Sequence, residues 1–421
     1  MRKLLLLLLS AATPSLYFAQ TGCGNGRYSS DIFSAVDVTT DITYGQNVTL
    51  QGQNQVLKLD FYEPNGDVLP ARPLVVMAHG GNFIGGAKDG TDIEPVATSL
   101  AKAGYTVASI EYRLGVAGIP FPGPTEDDIR EAVLRAVHDM KAAVRFFYKD
   151  AATANVYHID TNRIFVGGAS AGAVAALHYA YLDDLAELPA GIDTTQAGLG
   201  GGLPGLSGNP GYSDRVVGVV NLSGALDEAT WIQAGDEKLV STHAVADNTV
   251  PYGTGQITFL GFFQLMVVDG SSTLAQRCTA VGIDNCLYSH QGASVAHVPH
   301  NGSPAYLDTT MVIVRNFLTE VLCQTPSSCQ YTVANTPAII QQLHLGIHPN
   351  PAQTQVALRL DQSIAEPWDV RVIDPAGRIV REVVGILGST CTLQRGDLPA
   401  GFYLIEARTQ TARHTQTLIF E

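Results

Sequence analysis

The chain has 421 residues, 46% of them apolar, and a formal net charge of −14. That length exceeds one ordinary domain and suits a large domain with a smaller one, and the apolar share is enough for a sizeable core. The negative charge argues against nucleic acid and against anionic membrane surfaces as partners.

At the N-terminus, Arg2 and Lys3 precede the leucine run from Leu4 to Leu9, which is followed by Ser10, Ala11 and Ala12. The apolar run is too short to span a bilayer as a helix. Charge, apolar stretch and small residues in that order predict a signal peptide over residues 1–20. Export permits disulfides. The six cysteines are Cys23, Cys278, Cys286, Cys323, Cys329 and Cys391. Cys278 and Cys286 are spaced to close a short loop, although sequence alone does not choose among pairings. None of the six sits in a paired metal-binding spacing.

From about Val56 to Leu322, short apolar runs alternate with longer amphipathic ones. Strands are predicted at Val56 to Tyr62, Leu74 to Met77, Tyr105 to Tyr112, Arg163 to Val166, Val216 to Leu222 and Leu239 to Val245. Helices are predicted at Ile93 to Ala103, capped by Gly104, at Glu126 to about Ala152, at Ala171 to Tyr181 and at Thr309 to Leu322. In the second of these, Ile129, Val133, Ala136, Met140, Val144 and Phe147 recur every three or four places, which marks one helical face. Such alternation predicts an α/β domain over residues 21–323, a doubly wound and mostly parallel sheet with helices on both faces. Ala190 to Gly211 is rich in Gly, Ser, Thr and Pro. It reads as a loop or lid over a pocket, or as a mobile surface loop.

After Cys323 the texture changes. Residues 324–343 read as a linker, and residues 344–421 as a small all-β sandwich. Its strand-length pieces are Gln355 to Leu360, Val370 to Ile373, Ile379 to Val384, Phe402 to Ala407 and Thr415 to Phe420, set off by Pro- and Gly-containing turns.

Arg163 to Gly172 runs a strand into G-x-S-x-G and then directly into a helix. A sharp strand-to-helix turn strains the serine backbone and holds its side chain clear, and small neighbours are needed to permit the turn. Ser170 is therefore the candidate nucleophile, with the N–H of Ala171 aimed at a developing oxyanion. His79-Gly80-Gly81-Asn82-Phe83 follows a buried strand, and Gly80 and Gly81 are candidates for further oxyanion donors. His79 reads as a brace for that loop. Asp247, just past the strand ending at Val245, is the candidate acid, with Asp227 as the alternative. The base is expected after the acid. His297 is the first candidate, and His300 and His290 are the others. Phe259, Phe262 and Phe263 are candidates for an apolar acyl pocket or for the core.

The H-G-G-N-F loop, Glu111-Tyr112-Arg113-Leu114, the G-A-S-A-G turn and Asp247-x-x-Val250-Pro251 lie in the order seen in the carboxylesterase and lipase-like branch of the α/β-hydrolase family, which the chain resembles from about Val56 to Cys323. The resemblance implies a Ser170–His297–Asp247 triad, an oxyanion hole from Gly80, Gly81 and Ala171, an ester substrate, and no metal or organic cofactor. Two positions depart from the family pattern: Asn82 stands where a third glycine is common, and Ala169 where an acidic residue is common. In the tail, His348-Pro-Asn-Pro351, Val370 to Arg378 and Leu398-Pro-Ala-Gly-Phe-Tyr403 resemble the type A C-terminal sorting domain of the type IX secretion system. That implies the secretion machinery as a partner and export through the periplasm to the cell surface or beyond. A carbohydrate-binding sandwich is the alternative for the tail. For the whole chain, a peptidase on the same fold and a non-catalytic, surface-displayed binding protein stay open.

Overall fold

The computed structural model describes residues 22–119, 122–259, 263–292, 297–325, 345–360, 367–374, 379–408 and 413–421. The expected signal peptide and nearly all of the expected linker lie outside the described residues. The chain divides into two compact units, residues 1–333 and 334–421.

In the first unit the strands are β1 (Val36–Val48), β2 (Asn54–Pro64) and β3 (Arg72–Ala78), then helix α1 (Glu94–Ala103) and strand β4 (Thr106–Ile110). Helix α2 (Glu126–Ala152), β5 (Ile159–Ala169), α3 (Ala171–Tyr181), β6 (Gly218–Leu222), the short β7 (Ala225–Leu226) and β8 (Lys238–Ala244) follow. The last part holds β9 (Thr254–Phe259), β10 (Phe263–Gly270), α4 (Ser271–Val281), β11 (Asn285–His290), the one-turn helix α5 (Pro299–Gly302) and α6 (Pro304–Cys323).

Local chemistry sets several of these boundaries. Thr125 and Asp128 close a capping box at the start of α2, where three acidic residues also oppose the helix dipole. Gly104 ends α1 in the left-handed region at φ 107°. Strand β3 is buried along its whole length, as a central parallel strand must be.

Eight strands form one sheet in the order β1-β2-β4-β3-β5-β6-β8-β11. The β1–β2 and β2–β4 pairs are antiparallel, and every pair from β4 to β11 is parallel. Met140, Val144, Phe147 and Leu177 of α2 and α3 belong to one core cluster, and Leu100, Val314, Phe317 and Leu318 of α1 and α6 to a second. The sheet is thus doubly wound. Among the described residues, no helix is long and apolar enough to cross a membrane.

Two expectations change here. Cys278 is a buried free thiol, while Cys286 is disulfide-bonded, so the short Cys278–Cys286 loop does not form. A disulfide joins Cys23 to Cys323, tying the start of the described chain to the end of α6. The glycine-rich segment 190–211 is pinned down and does not line the main cleft. Its Gly198, Gly202, Pro204 and Gly208 carbonyls accept hydrogen bonds from Arg113, His138 and Arg145. The second face of α2 supplies His138 and Arg145, together with the buried Asp139 that pairs with Arg113 at 2.8 Å.

The second unit is all-β. Strands β12 (Leu345–His348), β13 (Gln355–Leu360) and β16 (Thr390–Gln394) form one antiparallel sheet. The other runs β15 (Ile379–Ile386), β14 (Trp368–Ile373), β17 (Gly401–Arg408), β18 (Arg413–Phe420), also antiparallel. Burial alternates residue by residue along β13. The inward faces of both sheets meet in one core built on Val356, Leu358, Trp368, Val370, Ile405 and Leu418.

Candidate active site

Strands β5, β6, β8 and β11 are neighbours and parallel, so their C-terminal ends lie side by side. In such sheets the loops at those ends form the natural crevice. Ser170 follows β5, Asp247 follows β8, and His297 lies in the loop after β11. The glycine loop follows β3, which is the other neighbour of β5.

Ser170 sits at φ 51° and ψ −118°, the strained turn that its motif predicts. The flanking glycines are required by space. A Cβ on Gly172 would lie 2.0 Å from the Ala78 carbonyl oxygen, and one on Gly168 would lie 2.3 Å from the Gly172 carbonyl carbon. The serine is nearly buried, and its own N–H donates to the Leu222 carbonyl at the end of β6.

The Ser170 Oγ lies 2.8 Å from His297 Nε2, and His297 Nδ1 lies 2.5 Å from Asp247 Oδ2. The other oxygen of Asp247 accepts the N–H groups of Thr249 at 2.8 Å and Val250 at 3.1 Å. Burial pushes the Asp247 carboxyl up, but hydrogen bonds from His243, His297 and Thr249, with the charge attraction of His297, pull it down to about 2. It is an anion at any ordinary pH.

The other acid and base candidates are engaged elsewhere. Asp227 pairs with Arg130 at 2.9 Å. The His300 Nε2 is 2.8 Å from the Asp92 carbonyl oxygen, and His290 lies against Thr310. Burial lowers the pKa of both imidazoles, that of His290 to about 4. His79 does brace its loop. It stacks on Tyr112 at 4.5 Å, its Nδ1 lies 2.7 Å from the Gly80 carbonyl oxygen, and the Tyr112 hydroxyl donates to the His79 carbonyl.

The oxyanion expectation needs a correction at Gly80, whose N–H already donates to Asp92 Oδ2 at 2.6 Å. Among the described residues, the N–H groups of Gly81 and Asn82 have no acceptor. Ala171 is the first residue of α3, so its N–H lies outside the helical ladder. Gly81 at φ 118° must be glycine, since a Cβ there would lie 2.2 Å from the Gly85 carbonyl oxygen. Asn82 and Phe83 follow at φ 53° and 58°, a strained pair next to Ser170.

A small cleft opens beside the hydroxyl, walled by Phe83, Ile129, Val174, Val250, Ile257 and Phe259. Ile257 and Phe259 come from the β9–β10 hairpin, which was not anticipated. Phe262 and the side chain of Phe263 lie outside the described residues. Sequence reasoning also missed His243, a fully buried imidazole 3.1 Å from Asp247 Oδ2. The available signal was a histidine inside the apolar strand that leads to the aspartate.

Residues 59–200 match the BD-FAE family model, and residues 346–421 match the secretion system C-terminal sorting domain. A segment similar to the BD-FAE family is thus followed, in the second unit, by one similar to the sorting domain. The first matched segment contains the glycine loop and Ser170, and Asp247 and His297 lie beyond it. The sorting-domain match marks the chain for export by type IX secretion to the cell surface or the extracellular space. No curated protein matches the sequence. Esterase 2 of Thermogutta terrifontis, in a structure phosphorylated by paraoxon, is 20% identical, with 69% of this chain and 95% of that chain covered at a TM-score of 0.46. A propionate-bound structure of the same enzyme is 19% identical over 68% and 95%, with a TM-score of 0.46. A truncated carbohydrate esterase from gut microbiota is 20% identical over 70% and 98%, with a TM-score of 0.48.

Proposed function

We propose that the chain is a secreted serine carboxylic-ester hydrolase that works through an acyl-enzyme, with Ser170 as nucleophile, His297 as general base and Asp247 as the group that orients the base. One observation carries this reading: the unbroken line of hydrogen bonds from Ser170 Oγ through His297 to Asp247, at 2.8 Å and 2.5 Å. In the acylation step, His297 Nε2 takes the hydroxyl proton as Ser170 Oγ bonds to the ester carbonyl carbon. Asp247 holds the proton on Nδ1 and stabilises the imidazolium. The carbonyl electron pair moves onto oxygen, facing the N–H groups of Ala171, Gly81 and Asn82. The intermediate collapses, the alkoxide leaves with the proton from His297, and water then repeats the sequence to free the acid and Ser170. The apolar walls of the cleft suit an uncharged carbon group on the ester.

In this organisation residues 1–20 are the signal peptide, 21–323 the catalytic domain, 324–343 the linker and 344–421 the sorting domain. Ser170→Ala is expected to abolish both p-nitrophenyl ester hydrolysis and labelling by a fluorophosphonate, while circular dichroism stays unchanged. Residual hydrolysis or labelling in that variant would refute the assignment. Faster cleavage of aminoacyl anilides than of esters by the wild type would turn it into a peptidase.

A further inference from the structure

Asp247 faces two imidazoles. His297 Nδ1 and His243 Nε2 both lie on Oδ2, at 2.5 Å and 3.1 Å. With Thr249 and Val250 on Oδ1, the acceptor positions of the carboxylate are filled. His297 is part of the proposed triad and its side chain is 23% exposed, whereas His243 is fully buried in β8.

Both ring nitrogens of His243 have partners. Its Nδ1 lies 2.7 Å from Ser271 Oγ, at the start of α4. Ser271 Oγ already accepts an N–H from Asn221 Nδ2 at 2.9 Å. Asn221 cannot be turned the other way, because its Oδ1 accepts the Gly224 N–H at 2.8 Å, and its Nδ2 also donates to Ser241. His243 Nε2 faces two acceptors, Asp247 Oδ2 and the Val250 carbonyl oxygen at 3.2 Å, so Nε2 carries the hydrogen and Nδ1 accepts the Ser271 proton. The result is a one-way relay of buried donors from Gly224 through Asn221, Ser271 and His243 to Asp247. The other titratable groups against His243 are Tyr252, whose ring stands edge-on at 5.7 Å, and His290.

We propose that His243 is a positioning residue. As a neutral Nε2–H donor held by Ser271, it anchors Oδ2 of Asp247 at the point where His297 Nδ1 must meet it. The proposal rests on the triad reading above. A single carboxylate oxygen shared by two donors is turned by neither, and it keeps its charge for the imidazolium that forms at His297. Removing His243 leaves that oxygen held by His297 alone and more basic. Small misplacements at such a site cost about a hundredfold in rate. A more basic Asp247 also holds a proton on His297 more strongly, which moves the acid limb of the rate profile upward.

The test compares the full chain as wild type, His243→Leu, His243→Gln and Ser170→Ala, with p-nitrophenyl acetate as substrate and a fluorophosphonate as active-site titrant. The side-chain amide of Gln can face N–H to Asp247 and oxygen to Ser271. We expect His243→Leu to lose about a hundredfold in kcat with KM little changed. Its kcat/KM acid limb should move to higher pH, and His243→Gln should recover most of the rate. In ¹⁵N-imidazole spectra of the wild type, His243 should carry its proton on Nε2 alone. A folded Leu variant with wild-type kcat, equal losses for Leu and Gln, or a proton on Nδ1 of His243 would each overturn the proposal. If Leu does not fold, the Gln variant and the spectra decide it. A wild type that neither labels nor hydrolyses, or a Ser170→Ala variant that still labels, would instead remove the triad reading itself.

Discussion

Asp247 shows how one side chain can be fixed by what surrounds it. Its Oδ1 accepts two backbone N–H groups, from Thr249 and Val250, and its Oδ2 faces two imidazoles. An asparagine there must put its amide oxygen on the backbone side, because only an oxygen can accept those bonds. Its NH₂ then faces the protons on both histidines. To escape that clash His297 must take the other tautomer, which places a hydrogen on Nε2 and leaves nothing to accept the Ser170 proton. Asp247→Asn is therefore expected to lower kcat by about 10⁴-fold. Burst titration with a slow ester, alongside a melting curve to confirm folding, checks this. The glycine loop after β3 follows the same logic. Asp92 occupies the Gly80 N–H and receives His300 on its carbonyl, so one residue ties the loop carrying Gly81 and Asn82 to the turn that follows His297.

At the scale of elements, α2 serves two surfaces. Its apolar stripe packs on the sheet, and its other face holds the glycine-rich segment 190–211 by that segment's carbonyl oxygens. The centre of the clamp is Arg113 with Asp139, both fully buried side chains, joined by Ser207, whose hydroxyl donates to Asp139 at 2.6 Å. Breaking a buried ion pair strands the remaining charge. Arg113→Met is expected to cost about 3–5 kcal/mol, measured by urea denaturation. It should also open residues 190–211 to limited proteolysis at a rate that the wild type does not show. Lysine at this position is not expected to rescue, because it cannot reach Asp139, Gly198 and Val48 with one planar fork. The segment's sequence shows low complexity and nothing of this, since its partners are side chains on distant elements.

For the whole molecule, the cost of enclosing titratable groups sets the response to acid. Burial pushes His138 and His290 down to about 4, from an ordinary value of 6.5. Because the folded values lie below the unfolded one, the unfolded chain takes up protons first. The stability that depends on these imidazoles is intact above about pH 6.5 and is lost as the pH falls through about 4. Glu237 works in the opposite sense. Burial raises it to about 7, so the stability tied to its neutral form is present at low pH and is lost as the pH rises through that value. Differential scanning calorimetry should show a Tm that falls on acidification, with a flatter slope after His138→Gln and His290→Gln. Glu237→Gln should raise Tm in mildly alkaline buffer and not in acid. An unchanged acid slope in the double His variant would contradict this account.

How much was legible follows the range of the forces involved. The bounds of α2 and α3, the left-handed cap at Gly104 and the strained turn at Ser170 were readable because each rests on neighbours in sequence: a capping box, a helical period, glycines two residues from a serine. The alternating strands of the tail were readable for the same reason. The β9–β10 hairpin, the state of Cys278, the Asp92 bond that occupies Gly80 and the relay through His243 were not, since each depends on partners many residues away. The amino-acid sequence by itself determined the periodic elements, the strand-to-helix turn at Ser170 and the change of architecture after Cys323. Only the tertiary structure decided which histidine faces Ser170 and what holds its aspartate. The parallel order of β5, β6, β8 and β11 brings those loops together, and strand order is a product of long-range packing that no local pattern encodes.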